Sequence, residues 1–203
     1  MYAFAYHRPE TAAQAASLRA AAPDGVYLAG GMTLIPTLKQ RLAAPSEVID
    51  LGAIPGLADI RREGERLVIG AMTRHAEVAA SEAVRGAIPA LAGLAGQIGD
   101  RQVRHRGTLG GSLANSDPAA DYPAAVIALG AEILTDRRRI AAADYFRDLF
   151  ETALSPGELI ISVAFPIPRR AAYRKFPHPA SGYAVAGVFV ADLHGRIQVG
   201  VTG

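Results

Sequence analysis

Two short stretches of this chain carry residue types that can hold an anion. The first is LAGGMTLI, positions 28–35. A strand-like run ends there, two glycines turn the chain, and a run of helix formers begins. Glycines leave backbone N–H groups unshielded by a Cβ, so a phosphate can approach them. Thr33 adds a hydroxyl in the same turn. A tight strand-to-helix turn with packing glycines explains this stretch equally well. It is neither GxGxxG nor a P-loop, which needs Gly-Lys-Ser/Thr. The second stretch is TLGGSLANSDPAAD, positions 108–121. Thr108, the bare amides of Gly110 and Gly111, and then Ser112, Asn115, Ser116 and Asp117 give a polar, turn-rich loop. Pro118 starts a helix, with Asp121 near its first turn. A carboxylate there can accept the two hydroxyls of a ribose or ribityl chain. It can equally partner the helix dipole, worth ~0.3–1 kcal/mol. Together the stretches suggest a diphosphate held between two layers, because two charges need donors from more than one side. Charge-assisted hydrogen bonds of ~1.5–3 kcal/mol each make five or six such donors enough for tight retention.

The elements that would position these stretches read as follows. Residues 2–6 form a short strand. Thr11 is an N-cap for the Ala-rich helix TAAQAASLRAAA,. VYLA is a strand, TLIPTLKQRLAA a helix with Pro36 in its first turn, and EVIDL a strand,. This β-α-β-α-β order predicts a small parallel layer. A hairpin turns at Glu63-Gly64-Glu65,. Helices follow from His75 and over 87–99, then PAADYPAAVIALGA as a helix, AEILT as a strand, AADYFRDLF as a helix and ELIISVAFP as a strand. AAYRKF, YAVAGVFVAD and RIQVGVTG read as an antiparallel sheet with a turn at His194-Gly195 and an open edge,. The fold class is therefore α+β.

Composition narrows the partners. The chain has 203 residues, half of them hydrophobic, and a formal net charge of +2. That balance is not the concentrated basic face of a nucleic-acid binder. The run Arg137-Arg138-Arg139 reads as a solvated turn, and Arg101, Arg104 and His105 either draw in an anion or are solvated loop charges,. There is no cysteine, so cysteine-ligated clusters and zinc–thiolate sites must lie outside this chain,. No signal-peptide pattern is evident, and no apolar run approaches the ~18 residues of a membrane span. A cytoplasmic, soluble protein is expected. His75 and the other four histidines are scattered, so no metal site is expected, and no Ser-His-Asp order or carboxylate pair suggests a hydrolase,.

The paired texts YLAGGMTLIPTLKQRLAAPSEVIDL and IGDRQVRHRGTLGGSLANSDPAADYPAAVIALGAEI closely resemble the FAD-binding medium subunit of the molybdenum hydroxylases. That family includes bacterial carbon monoxide dehydrogenase, xanthine dehydrogenase and aldehyde dehydrogenase types. PGELIISVAFP and YRKFPHPASGYAVAGV extend the likeness over nearly the whole chain. The resemblance implies a two-subdomain FAD-binding fold: residues 1–55 as the N-terminal subdomain and 56–168 as the second, with a mixed sheet and helices. Residues 169–203 would begin a C-terminal domain, here truncated. FAD is the implied cofactor. Leu28, Ala29, Gly30, Gly31, Met32, Thr33, Leu34 and Ile35 would wrap its diphosphate. Thr108, Gly110, Gly111 and Ser112 would form the second clamp. Asp121 would bind the sugar part, Ile98 would border the flavin, and Ile160 would touch the adenine or flavin edge. Lys175 would meet the ring's polar rim, and Tyr183 would lie near the isoalloxazine. No catalytic residue is implied. The implied partners are a small 2Fe-2S subunit and a large molybdopterin subunit in a hetero-oligomer, with a quinone, NAD or another acceptor taking the electrons. A non-catalytic docking module lacking flavin is the second reading. A self-standing oxidase of the vanillyl-alcohol type would need a cap domain for which the chain has no room.

Overall fold

A computed structural model describes residues 1–203. The first strand, β1 (Ala5–His7), leads to α1 (Ala12–Ala21). Alanine loses no side-chain entropy in a helix, which favours α1 over its whole length. Thr11 caps it, its hydroxyl accepting from the Gln14 amide at 3.1 Å,. Next come β2 (Val26–Leu28), α2 (Leu34–Lys39) and β3 (Glu47–Asp50). The three strands make the expected parallel sheet in the order β1-β3-β2. The second helix is shorter than the expected 33–44, because the chain turns into a left-handed conformation at Arg41. Ala15, Ile49, Leu51, Leu57 and Leu159 form a small core beneath this sheet.

The hairpin β4 (Ile60–Glu63) and β5 (Arg66–Gly70) turns at Gly64, φ +59°, as the sequence predicts. A helical run follows: α3 (His75–Ala80), α4 (Glu82–Ala87), α5 (Pro89–Ala95), α6 (Arg101–Arg106), α7 (Leu109–Asn115) and α8 (Tyr122–Ala128). The chain then forms β6 (Glu132–Thr135), β7 (Arg139–Ala141), α9 (Ala142–Tyr145), β8 (Phe146–Asp148), β9 (Glu151–Thr152) and β10 (Ile160–Pro166). The second sheet has the order β4-β5-β10-β6-β7. Its pairings are all antiparallel, where a mixed sheet was expected. Leu67, Ile69, Leu91, Leu109, Tyr122 and Phe165 are buried in the main core between this sheet and the helices.

Two further expectations change. AADYFRDLF is helical only over Ala142–Tyr145, because Phe146–Asp148 pairs with β9 instead and the Tyr145 and Phe146 rings meet edge to face. Half of the stretch expected as a loop at 108–121 is helix α7. Burial of Leu109 and Leu113 holds it, and Ser116, at φ +47°, ends it.

The C-terminal sheet is an antiparallel meander of β11 (Arg170–Pro177), β12 (Ala184–Leu193) and β13 (Arg196–Thr202). Its inner face packs on α8 so closely that a Cβ on Gly200 would land on the Ala124 carbonyl. The Thr202 hydroxyl sits within hydrogen-bond reach of the Pro118 and Ala120 carbonyls. Its outer face exposes Ile197, Val199 and Val201. Gly200→Ala should therefore lift β13 from α8 and cost roughly 1–3 kcal/mol, the usual range for overpacking. Thermal unfolding of the variant measures this directly.

Candidate functional site

A cleft of about 840 Å³ runs between the small parallel sheet and the helical layer, within the ~300–1,000 Å³ range of ligand pockets. Its first wall is the segment joining β2 to α2. Gly31 turns the chain at φ +75°. Gly30 is pressed against the end of α6, where a Cβ would strike the Arg106 carbonyl oxygen. The amides of Ala29, Gly30, Gly31, Met32 and Thr33 donate to no acceptor within the chain, and these five residues line the cleft. Met32 and Thr33 are exposed and the other three half-buried, so these N–H groups stay open to an acceptor that enters the cleft,.

The opposite wall is the start of α7. Thr108 is its N-cap, its Oγ1 accepting from the Gly111 amide at 3.1 Å. Here the main chain is already engaged. The Leu109 amide donates to Thr73, Gly110 to Ala71 at 2.8 Å, and Ser112 to Thr108. Gly110 is therefore glycine for packing, since its Cβ would meet Ala71. What this wall offers the cleft is the Thr108 hydroxyl, the Ser112 hydroxyl and the Asn115 side chain, the last two with no hydrogen-bond partner in the chain. The two glycine stretches do meet: a Cβ on Gly111 would lie 3.5 Å from that of Ala29.

Asp121, the residue before α8, lines the cleft but is not free. It is 4 % exposed, and its carboxylate accepts from Tyr173 Oη at 2.6 Å. Lys175 Nζ lies 3.0 Å from both of its oxygens. The same ammonium donates to the Gln97 carbonyl at 3.1 Å. Burial pushes the Asp121 carboxyl above its usual range, while the Tyr173 hydroxyl and the Lys175 ammonium pull it down. Lys175 is thus a buried counter-ion behind the cleft wall. Leu28 and Ile35 also sit behind the wall, with Leu28 Cδ1 and Ile35 Cγ1 close to the Gly31 backbone. The remaining sequence-derived candidates, including Leu34, Ile98, Ile160 and Tyr183, line the cleft.

Sequence reading missed several lining residues. Glu158, within PGELIISVAFP, carries no local sequence signal of a site. Its carboxylate accepts from Arg138 Nε and Nη2, both at 2.9 Å, from Thr135 Oγ1 at 2.8 Å and from the Ser155 amide at 2.8 Å. Arg138 and these partners hold its carboxyl down at about 2 against the opposing effect of burial. The middle of the arginine run is therefore a clamp, not a solvated turn. Arg104 likewise donates to the Ile98 and Gly99 carbonyls and pins the segment beside the cleft. His75 is also a lining residue. Its amide donates to the Gly107 carbonyl, its ring packs 5.4 Å from that of Tyr122, and its buried Nδ1 has no partner.

Residues 2–168 match the family described as the FAD binding domain in molybdopterin dehydrogenase. This chain belongs to that family. The carbon monoxide dehydrogenase medium chain of Afipia carboxidovorans is 40 % identical over 195 residues, covering 92 % of this chain and 68 % of the relative. The 6-hydroxypseudooxynicotine dehydrogenase complex subunit alpha of Paenarthrobacter nicotinovorans is 37 % identical, covering 81 % of this chain and 58 % of that one. A solved structure of carbon monoxide dehydrogenase from Hydrogenophaga pseudoflava superposes with a TM-score of 0.91 at 35 % identity, over 98 % of this chain and 74 % of that one. The family's cofactor is FAD. The free amides of 29–33, facing hydroxyls at 108 and 112, are the donor set a diphosphate requires.

The buried ion pair has a measurable consequence. Asp121→Ala should cost about 3–5 kcal/mol by stranding the Lys175 ammonium, and Asp121→Leu combined with Lys175→Met should recover most of that in denaturant unfolding. His75 gives a pH signature. Burial, with the Arg104 charge adding, lowers its pKa from 6.5 to about 4. The unfolded chain takes the proton first, so the contribution is complete above pH 6.5 and fades as pH falls through about 4,. His75→Leu should make the decline in melting temperature across that window shallower,.

Proposed function

We propose that this chain is the FAD-binding, electron-transfer subunit of a molybdopterin hydroxylase or dehydrogenase complex. In that role electrons arrive from iron–sulfur clusters of a small partner subunit, after substrate oxidation in a large molybdopterin subunit. They leave for an external acceptor such as a quinone or NAD. The observation that carries the reading is the row of five unpaired amides over Ala29–Thr33, set opposite the Thr108 and Ser112 hydroxyls. The FAD, when bound, supplies the redox chemistry, and the protein supplies placement and electrostatics.

The chain's own residues divide the work. Residues 29–33, continued by Leu34, hold the diphosphate from one side, and Thr108 and Ser112 hold it from the other. Gly30 and Gly111 let the two walls approach, Gly31 turns the first wall, and Gly110 seats the second on Ala71. Asp121 faces the sugar part with the carboxylate that Lys175 and Tyr173 keep in place. Ile98, Ile160 and Tyr183 border the ring systems, and Leu28, Ile35 and Lys175 support the wall from behind. The proposed division into 1–55, 56–168 and 169–203 is supported by the chain's sheets, with the parallel one in the first part, the five-stranded one and the β8–β9 pair in the second and the meander in the third. Relatives named as a medium chain and as a subunit of a dehydrogenase complex support partner subunits for this chain too. Its lack of cysteine leaves the clusters to a partner. No helix is long and apolar enough to cross a membrane.

The rival reading, a docking module without flavin, leaves the free amides unexplained. The visible spectrum of the purified chain separates the two. Flavin absorption bands, or their return after FAD is added to apo protein, support the proposal, and a chain that stays colourless with excess FAD refutes it. Gly30→Ala should lose the flavin even where the fold survives, because the new methyl drives the first wall away from Arg106 and Gly107,.

A further inference from the structure

No lysine or arginine side chain lines the cleft. Arg74 and Arg106 adjoin its walls through their main chain at Thr108 and Gly30 and are not among its lining residues, and three other cations are engaged. Lys175 is bound to Asp121 and the Gln97 carbonyl, Arg138 to Glu158, and Arg104 to the carbonyls of Ile98 and Gly99. The cleft does present acids. Asp100 faces it from the N-cap of α6, Asp117 and Asp121 from the turn before α8, and Glu158 from the turn before β10. The other titratable groups facing it are His75 from α3, Tyr27 from β2 and Tyr183 from the turn before β12. The donors this cleft offers are uncharged, among them the five amides, the hydroxyls of Thr108 and Ser112 and the Asn115 side-chain amide.

We infer that this cleft selects a phosphodiester-type diphosphate and rejects a terminal phosphate monoester, so that its preference for a dinucleotide over a mononucleotide flavin is electrostatic as well as steric. This inference rests on the placement of FAD in the cleft. Each phosphorus of a dinucleotide diphosphate carries one negative charge, spread over two oxygens that amide donors can satisfy. A monoester carries close to two charges on one group above its second pKa, ~6. With no cationic side chain in the lining, and with Asp100 and Asp117 facing it without a cation partner, the second charge has only uncharged donors to offset its desolvation,. Backbone donors bring no mobile counterions of their own, so binding through them depends little on salt.

The test titrates the apo chain with FAD, FMN and riboflavin, following flavin fluorescence, at pH 8 and at pH 5.5. FAD affinity should change less than about twofold between 50 mM and 500 mM NaCl, because no exposed ion pair is screened. At pH 8 FMN should bind no tighter than riboflavin. At pH 5.5, where the monoester is mostly monoanionic, FMN should gain several-fold over its value at pH 8 while riboflavin does not. Met32→Lys, at a cleft-lining position that is already 37 % exposed, should raise FMN affinity at pH 8 about tenfold or more and make it salt-dependent. FMN binding to the unaltered chain at pH 8 more than about tenfold tighter than riboflavin, or FAD affinity falling steeply with salt, overturns the inference while leaving the flavin in the cleft. Failure of all three flavins to bind refutes the placement itself, and the inference with it.

Discussion

Five consecutive main-chain N–H groups without an acceptor constrain everything else in this molecule. A loop can leave amides to water, but five in a row within one cleft require a chain held so that it cannot fold back on itself to pair them. Gly31 supplies the left-handed turn that starts this, and the pressure of Gly30 on the end of α6 keeps the segment against the second wall. The second wall achieves rigidity in the opposite way. Its amides are all engaged, to Thr73, Ala71 and Thr108, so it presents side-chain hydroxyls from a fixed helix start. One wall gives backbone and the other gives side chains, and each depends on the other for its position.

The buried pair of Asp121 and Lys175 extends that dependence to the C-terminal sheet. Lys175 belongs to β11, Asp121 to the approach of α8, and Gln97 to the segment before Ile98. One ammonium thus joins three parts of the chain at the back of the cleft. A buried ion pair contributes modest net stability but is costly to break on one side. Such a contact fixes geometry more than it adds free energy. The outer wall of the cleft is therefore set partly by residues more than fifty positions away from those that line it.

Sequence reading recovered what is local or repeated in type. The Thr11 cap, the hairpin at Gly64, the parallel first sheet and the meander at the end follow from capping, turn chemistry and alternation. The paired glycine stretches were legible because both are unusual in the same way. Helix α7 was not, since glycine, serine and asparagine are weak helix formers, and what holds it is burial of Leu109 and Leu113 with Thr108 as its cap,. The roles of Lys175, Arg138 and Glu158 lie beyond any local pattern. Each is set by a partner at least twenty residues distant, and a run of arginines looks the same in sequence whether it faces solvent or grips a buried carboxylate.

A cradle built from main chain distributes mutational risk unevenly. Side chains at Met32 or Thr33 can change in size and polarity while the donors they share with every other residue persist. Conversely, a single methyl at Gly30 removes the whole row from register. Drift at such a locus should be wide at the positions that face the ligand and nearly frozen at the small residues behind them, the inverse of the pattern familiar from sites made of charged side chains.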